Sequence, residues 1–291
     1  MTKTILVCGA TGRQGGAVAQ RLMADGHAVR ALTRRPGSAA AIRLRQMGAA
    51  IVIGDMNDEA SLKAALEGAD GVFAMQTPYE EGTDQEIAQG MRLNEAARVA
   101  CVAQVVYSSV ANADLDTGVA HYHSKGAIER HLATMNFAHV TVLRPTLFME
   151  MFLMPSVVRM VRAGRFDMAI RPTTRLAMVA VADIAAAAAR AFAEPDRFNG
   201  LVIDLAGDQL TLPEIAAALS AACGTVIRYA QVPPDALPAD AVPKARTQAW
   251  FDTVGWKLNL DTATQLGLPQ TSFAQWAQNH RHHFMHKEQL T

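Results

Sequence analysis

The sequence predicts an α/β protein, a doubly wound parallel sheet of the Rossmann type with a smaller C-terminal substrate domain. Three observations carry this. A short aliphatic run, Thr4–Cys8, leads into glycines spaced Gly9-x-x-Gly12-x-x-Gly15. Runs of β-branched residues then alternate with helical patterns of ~10–15 residues. The alternation holds to about residue 146 and breaks there. Strands and helices in that order build a parallel sheet covered on both faces, joined by right-handed crossovers. The expected division is 1–150 for the first domain and 151–291 for the second, with some exchange of segments.

The glycine turn comes first. Behind it Val18, Leu22 and Met23 fall on one helical face, Arg21 and Asp25 on another. Glycines let the backbone turn tightly and approach a pyrophosphate, and the unpaired N–H groups of a helix start face its charge. Gly9, Gly12 and Gly15 are therefore expected to bind a dinucleotide.

Strands follow at Ala28–Thr33, Ala50–Asp55, Gly71–Met75, Gln104–Ser109 and His139–Arg144. Helices are predicted at about Ser38–Met47, Glu59–Leu66, Thr83–Ala100 and Tyr122–Met135. Beyond residue 146, Pro155 interrupts a Met- and Phe-rich stretch, so one straight helix is not expected there. Asp183 is expected to cap an alanine-rich helix. Leu201–Leu205 reads as a strand, and Thr211-Leu212-Pro213-Glu214 opens a helix as a capping box. Thr225–Gln231 reads as a strand, Pro233–Pro238 as a loop, and two or three short helices finish the chain.

Composition narrows the function. The chain has 291 residues, half of them hydrophobic, with Lys+Arg and Asp+Glu both at 27. No basic excess points to direct nucleic-acid binding. No apolar run reaches the ~20 residues of a membrane span. Cys8, Cys101 and Cys223 are far apart and lack metal-ligand spacing, which fits a reducing cytoplasm better than a disulfide framework. The N-terminus forms a strand by residue 4, so no signal peptide is expected there. The histidines His280, His282, His283 and His286 cross a polar helix end without a carboxylate or cysteine, so no metal is expected.

In a doubly wound sheet the ligand lies at the carboxyl ends of the strands. Arg34 and Arg35 close the second strand, where a carboxylate would suit the ribose of NAD and an arginine a 2′-phosphate. No acidic residue lies between Ala28 and Arg45, so NADP(H) is the expected cofactor, with Arg34 on its phosphate. Asp55 and Met56 follow the third strand. Asp55 either accepts from the adenine amine or caps the next helix. Gln76 and Thr77 either line the nicotinamide half or only form a turn. Phe148, Met151 and Phe152 either fill a core or wall an apolar substrate pocket.

Taken together, Gly9-Ala10-Thr11-Gly12-Arg13-Gln14-Gly15, Thr33-Arg34-Arg35-Pro36, Gly54-Asp55, Val105-Val106-Tyr107-Ser108-Ser109, His121…Lys125-Gly126 and Leu143-Arg144-Pro145 resemble the NmrA-like family of atypical short-chain dehydrogenases/reductases. The resemblance implies that Thr11, Gly12, Arg13, Gln14 and Gly15 contact phosphates and that Arg34 meets a 2′-phosphate. The family holds NADP(H)-dependent reductases of quinones and aromatic compounds, and also regulators that bind NAD(P) without turnover. Typical short-chain reductases carry Tyr-x-x-x-Lys, whose lysine lowers the tyrosine pKa and holds the ribose. Here His121 stands four residues before Lys125 and Tyr122 three before, both near one helix face. Lys125 is expected on the ribose or nicotinamide. His121 is either a proton carrier or, like His123, an exposed loop residue. The expectation is a monomeric or homodimeric reductase passing hydride to a quinone-like or aromatic small-molecule acceptor. The alternative is an NADP(H) sensor acting through a regulatory protein partner.

Overall fold

The computed structural model describes residues 2–236 and 245–285. β1 (Thr4–Val7) runs into the glycine turn, and α1 (Arg13–Ala24) follows with Val18, Ala19 and Leu22 buried. β2 (Ala28–Thr33), α2 (Ala39–Gln46) and β3 (Ala50–Ile53) come next. The Ser38 side chain caps α2 and that of Asp58 caps α3 (Glu59–Leu66). β4 (Gly71–Ala74) leads to a single-turn helix, α4 (Pro78–Glu81), which Thr77 caps. Proline suits a first helical turn because the N–H it lacks would go unpaired there. Gly82, at φ +88° and ψ 174°, turns the chain into α5 (Thr83–Val99), a conformation essentially reserved for glycine. β5 (Gln104–Ser108), α6 (Ala120–Ala133) and β6 (His139–Pro145) complete the regular alternation.

The chain continues through β7 (Leu147–Phe148), a 3₁₀ turn at Met149–Leu153, and α7 (Pro155–Arg162). β8 (Arg165–Met168), β9 (Arg175–Val179), α8 (Val181–Ala193), α9 (Pro195–Phe198), β10 (Leu201–Leu205) and β11 (Asp208–Thr211) follow. Last come α10 (Leu212–Cys223), β12 (Arg228–Gln231), α11 (Ala245–Thr253), α12 (Asp261–Gln265), α13 (Phe273–Asn279) and α14 (Arg281–Phe284).

The chain forms two compact units. The first comprises Met1–Pro145, Val181–Leu205 and Asn259–Leu268. Its seven strands pair in the order β10-β6-β5-β4-β1-β2-β3, all parallel. The order reverses between β1 and β4, the switch point where doubly wound sheets open their ligand crevice. The side-chain period of two sends Leu6 and Cys8 into a cluster with Leu62, Leu66, Leu93 and Ile128 of α3, α5 and α6. α1 packs instead on α8 and α2. Gly71 lets α8 approach the sheet, since a Cβ there would lie 2.8 Å from the Phe192 ring. Gly90 does the same between α5 and α6, where Ile128 fills the space.

The second unit comprises Thr146–Ala180, Ala206–Leu258 and Pro269–Thr291. β11 pairs antiparallel with β9, and β9 and β7 are parallel; β12 and β8 form a separate parallel pair. Phe152, Phe166, Phe273 and Trp276 pack together at its core, with Phe152 5.1 Å from Phe273 and 5.9 Å from Phe166.

Residues 181–205 and 259–268 group with the first unit, an exchange of segments between the two parts of the chain. Two local expectations are corrected. Asp183 is not an N-cap: α8 starts at Val181 and Asp183 lies buried in its first turn. The strand expected over Thr225–Gln231 begins at Arg228. Pro155 ends the 3₁₀ turn and starts α7. Thr211 and Glu214 form both halves of the capping box on α10. In the expected 233–238 loop, Pro234–Ala236 is a 3₁₀ turn, whereas Leu237 and Pro238 lie outside the described residues.

Candidate functional site

The glycine turn is built from backbone alone. Gly9 has φ +63°, and the Gly12 N–H donates to its carbonyl at 2.9 Å. A Cβ on Gly15 would lie 2.6 Å from the Cys8 carbonyl oxygen and closer still to that of Gly9. A Cβ on Gly9 would run into the Met75 sulfur. No side chain caps α1 at Gly12, in contrast to α2 and α3, so the dipole end of α1 is open to an anion. Thr11, Gly12 and Arg13 are exposed around it. Gln14 is different. It is buried, and its side-chain amide donates to Ser108 Oγ at the end of β5.

Arg34 sits just past β2 with its side chain 45% exposed. Its guanidinium is ion-paired with Glu80 and, at 3.5 Å, with Glu81, both on α4. The hydrogen bond to Glu80 chiefly, with Asp55 and Glu81 adding charge, holds Arg34 above its ordinary pKa. Asp55 does not cap α3. Its Oδ1 accepts from Asn57 N–H at 2.9 Å in the turn before Asp58, which is the cap. The neighbouring Met56 carbonyl accepts from Arg92 at 2.8 Å.

Lys125 lies on the buried face of α6. Its Nζ donates to the Gln76 carbonyl at 2.7 Å, is 3.0 Å from Glu86 Oε1, and stands 5.7 Å from the Tyr107 ring centre. Its side chain is 10% exposed and that of Glu86 0%. Ser124 Oγ donates to the other Glu86 oxygen. Burial lowers the Lys125 pKa, and the Glu86 carboxylate opposes that shift. The Gln76 side-chain amide, the Tyr107 hydroxyl and Ser109 Oγ are buried without a hydrogen-bond partner. Burial also pushes the Tyr107 hydroxyl well above its ordinary pKa, which keeps it protonated. Thr77 Oγ1 accepts from Tyr79 N–H as the α4 cap. His121 lies in the first turn of α6, one turn before Lys125, with its ring 4.6 Å from that of Tyr122. His123 pairs with Asp116 at 3.4 Å.

In the second unit, Phe152 is taken up by the aromatic core, while Met151 is exposed and Phe148 partly buried. His280 stacks on Trp276, and His282 and His283 lie side by side on α14. His286 lies outside the described residues. Among the described residues no cluster of His, Cys, Asp or Glu suits a metal ion, and no helix is long and apolar enough to cross a membrane.

Glu86, Glu80 and Glu81 are absent from the site expected from sequence. Glu86 had a signal: it shares a helical stripe with Gly90, Leu93, Asn94 and Ala97, all buried, where a lone carboxylate requires a partner. Glu80 and Glu81 had none, because their partner lies 46 and 47 residues away.

A model of the NmrA-like family matches residues 1–257. The NAD(P)H azoreductase of Xenophilus azovorans is 30% identical over 95% of this chain and 97% of its own. The crystal structure of an NADPH-dependent quinone oxidoreductase from Escherichia coli, complexed with NADPH, is similar with a TM-score of 0.79 at 28% identity. It covers 96% of this chain and 99% of that one. NmrA, a negative transcriptional regulator in complex with NADP, shares the fold with a TM-score of 0.76 at 21% identity, over 95% and 94% of the two chains. With a family model spanning most of its length, this chain belongs to the NmrA-like family.

Proposed function

We propose that this chain is an NADP(H)-dependent reductase that passes hydride to a quinone-like or aromatic acceptor. The observation that carries the reading is the glycine cradle, closed to any Cβ at Gly15 and facing an uncapped helix start. A pyrophosphate fits such a cradle, and Arg34 provides a guanidinium for a 2′-phosphate. The azoreductase and the quinone oxidoreductase are named for conjugated acceptors of this kind.

The reduced nicotinamide supplies the hydride when bound. The chain supplies position and charge. The Gln76 carbonyl accepts from the Lys125 ammonium and Glu86 balances its charge, so the ammonium is held in place with N–H left to orient a ribose hydroxyl or the acceptor oxygen. A quinone product anion is delocalised, so no tyrosine is required at the moment of transfer. Lys125, with its pKa lowered by burial, or His121 at the start of α6, then delivers the proton. All three cysteines are free, which suits the cytoplasm.

The test follows the absorbance of NADPH with a panel of quinones and azo compounds. Turnover should fall about 100-fold when Lys125→Met is combined with Glu86→Gln, while NADPH binding persists. Tight binding without turnover on any acceptor would transfer the assignment to a sensor acting through a protein partner. One observation favours that second reading: Arg34 is paired with surface carboxylates of α4, so a ligand that takes Arg34 also changes the charge presented there.

A further inference from the structure

We propose that Glu80, together with Glu81, competes with the cofactor 2′-phosphate for the Arg34 guanidinium and so sets how strongly the chain prefers NADP(H) over NAD(H). The inference rests on the reading above for the placing of a dinucleotide at the glycine cradle and of its 2′-phosphate at Arg34.

A guanidinium has five N–H donors, and carboxylate and phosphate compete for the same paired donors. In this chain the Nη edge is held by Glu80 on Nη2 and by Glu81 on Nη1. A 2′-phosphate that docks on that edge displaces at least one of them, and it approaches against their negative charge and that of Asp55. NAD(H), which carries a hydroxyl at that position, meets no such competition.

The two glutamates sit on a segment built to part from Arg34. α4 is a single turn, bounded by the Thr77 cap and Pro78 on one side and by Gly82 at φ +88° on the other. None of its residues is buried. Glu81 has a second set of partners that hold it when Arg34 leaves: Asn57 Nδ2 donates to its Oε2 at 3.0 Å and Gln89 Nε2 at 3.2 Å. Glu81 is thus the carboxylate whose contact with Arg34 costs least to lose, and Glu80, which makes the main hydrogen bond to Arg34, is the stronger competitor. The arrangement lowers NADP(H) preference below what Arg34 alone would confer.

The experiment is calorimetric titration of NADPH and of NADH into the wild-type chain, Glu80→Gln with Glu81→Gln, Arg34→Ala, and the triple variant. Exposed pairs of this kind shift an equilibrium modestly, so removing both carboxylates should tighten NADPH about 3- to 10-fold and leave NADH within about twofold. In the Arg34→Ala background the same two substitutions should have little effect on NADPH. A gain shared equally by NADPH and NADH, or one that persists in full without Arg34, overturns the inference. An unchanged NADPH:NADH ratio in Arg34→Ala alone overturns the phosphate role of Arg34 and the inference with it. Failure of every variant to bind either dinucleotide overturns the cofactor reading itself.

Discussion

Two cations of the first unit meet glutamates from helices next to each other in the chain, and they do so in opposite surroundings. Lys125 reaches Glu86 of α5 in the interior, with side-chain exposures of 10% and 0%. Arg34 reaches Glu80 of α4 at the surface, with exposures of 45% and 54%. Water screens the second pair and leaves it exchangeable, whereas the first has lost its hydration and depends on its partners. The buried lysine is also fixed by the Gln76 carbonyl, and its glutamate by Ser124. The same chemistry therefore yields a rigid anchor in one place and a replaceable contact in the other. A site that must position a reacting centre but admit and release a ligand has use for both.

The largest expected effect breaks the buried pair. Glu86→Gln leaves an ammonium in the interior without its counter-charge and should cost about 3–5 kcal/mol in urea unfolding. Replacing both members, Glu86→Leu with Lys125→Met, should recover most of that loss, because no charge then remains buried. A Glu86→Gln deficit below about 1 kcal/mol would show that the pair is solvated, like its surface counterpart.

The pH dependence sharpens the same contrast. Burial lowers the folded pKa of Lys125, and Glu86 pulls it back up. A lysine with a folded value below its unfolded value, about 10.4, binds fewer protons folded than unfolded between the two. Stability then rises with pH across that window. Removing the Glu86 charge lowers the folded value further and extends the window downward. The stability deficit of Glu86→Gln should therefore shrink steadily as pH rises from about 7 towards 10. A deficit constant with pH would assign the loss to packing or to the Ser124 contact instead.

Arg144 falls between the extremes. It is bidentate to Glu129, at 3.0 and 2.6 Å, with both side chains 12% exposed, and it also reaches Asp114 at 3.0 Å. Burial alone would lower its pKa, but Glu129 and Asp114 outweigh that and hold it above its ordinary value. Glu129→Gln should cost about 1.5–3 kcal/mol, the range for a hydrogen bond to a charged group. Asp114 remains to share the charge, so the loss should stay below that of Glu86→Gln in the same urea series.

How far each region could be read from sequence follows the same division. The glycine turn and the six strands ahead of residue 146 were legible because each is a local pattern: a period of two, a period of 3.6, a glycine where a Cβ cannot fit. β7, β8, β9 and β11 were not, since their sequences, LF, RFDM, RLAMV and DQLT, hold no run of β-branched residues to mark a strand. The return of residues 181–205 to the first sheet, where β10 pairs with β6, is a long-range choice that no local pattern encodes. The same holds for partners. Lys125 and Arg34 stand out in the sequence by type and position, but Glu86 and Glu80 acquire their meaning only when segments 39 and 46 residues away arrive beside them. Gln14 shows the converse: a residue inside a legible motif whose side chain turns to Ser108, a choice set by the neighbouring strand.

The smallest expected effect on stability completes the series. Arg34→Ala removes an exposed side chain whose ion pairs are screened, so the urea midpoint should stay within about 0.5 kcal/mol of wild type. α4 should hold its place, because Thr77 caps it and Asn57 and Gln89 retain Glu81. Raising the salt concentration should erase any residual difference, since the Debye length falls to ~3 Å at 1 M. A loss above about 1 kcal/mol, insensitive to salt, would mean that Arg34 anchors α4 as firmly as Glu86 holds Lys125. Arg34 could then not exchange Glu80 for a phosphate at little cost, and the contrast between a fixed cation and a replaceable one would fail at its exposed end.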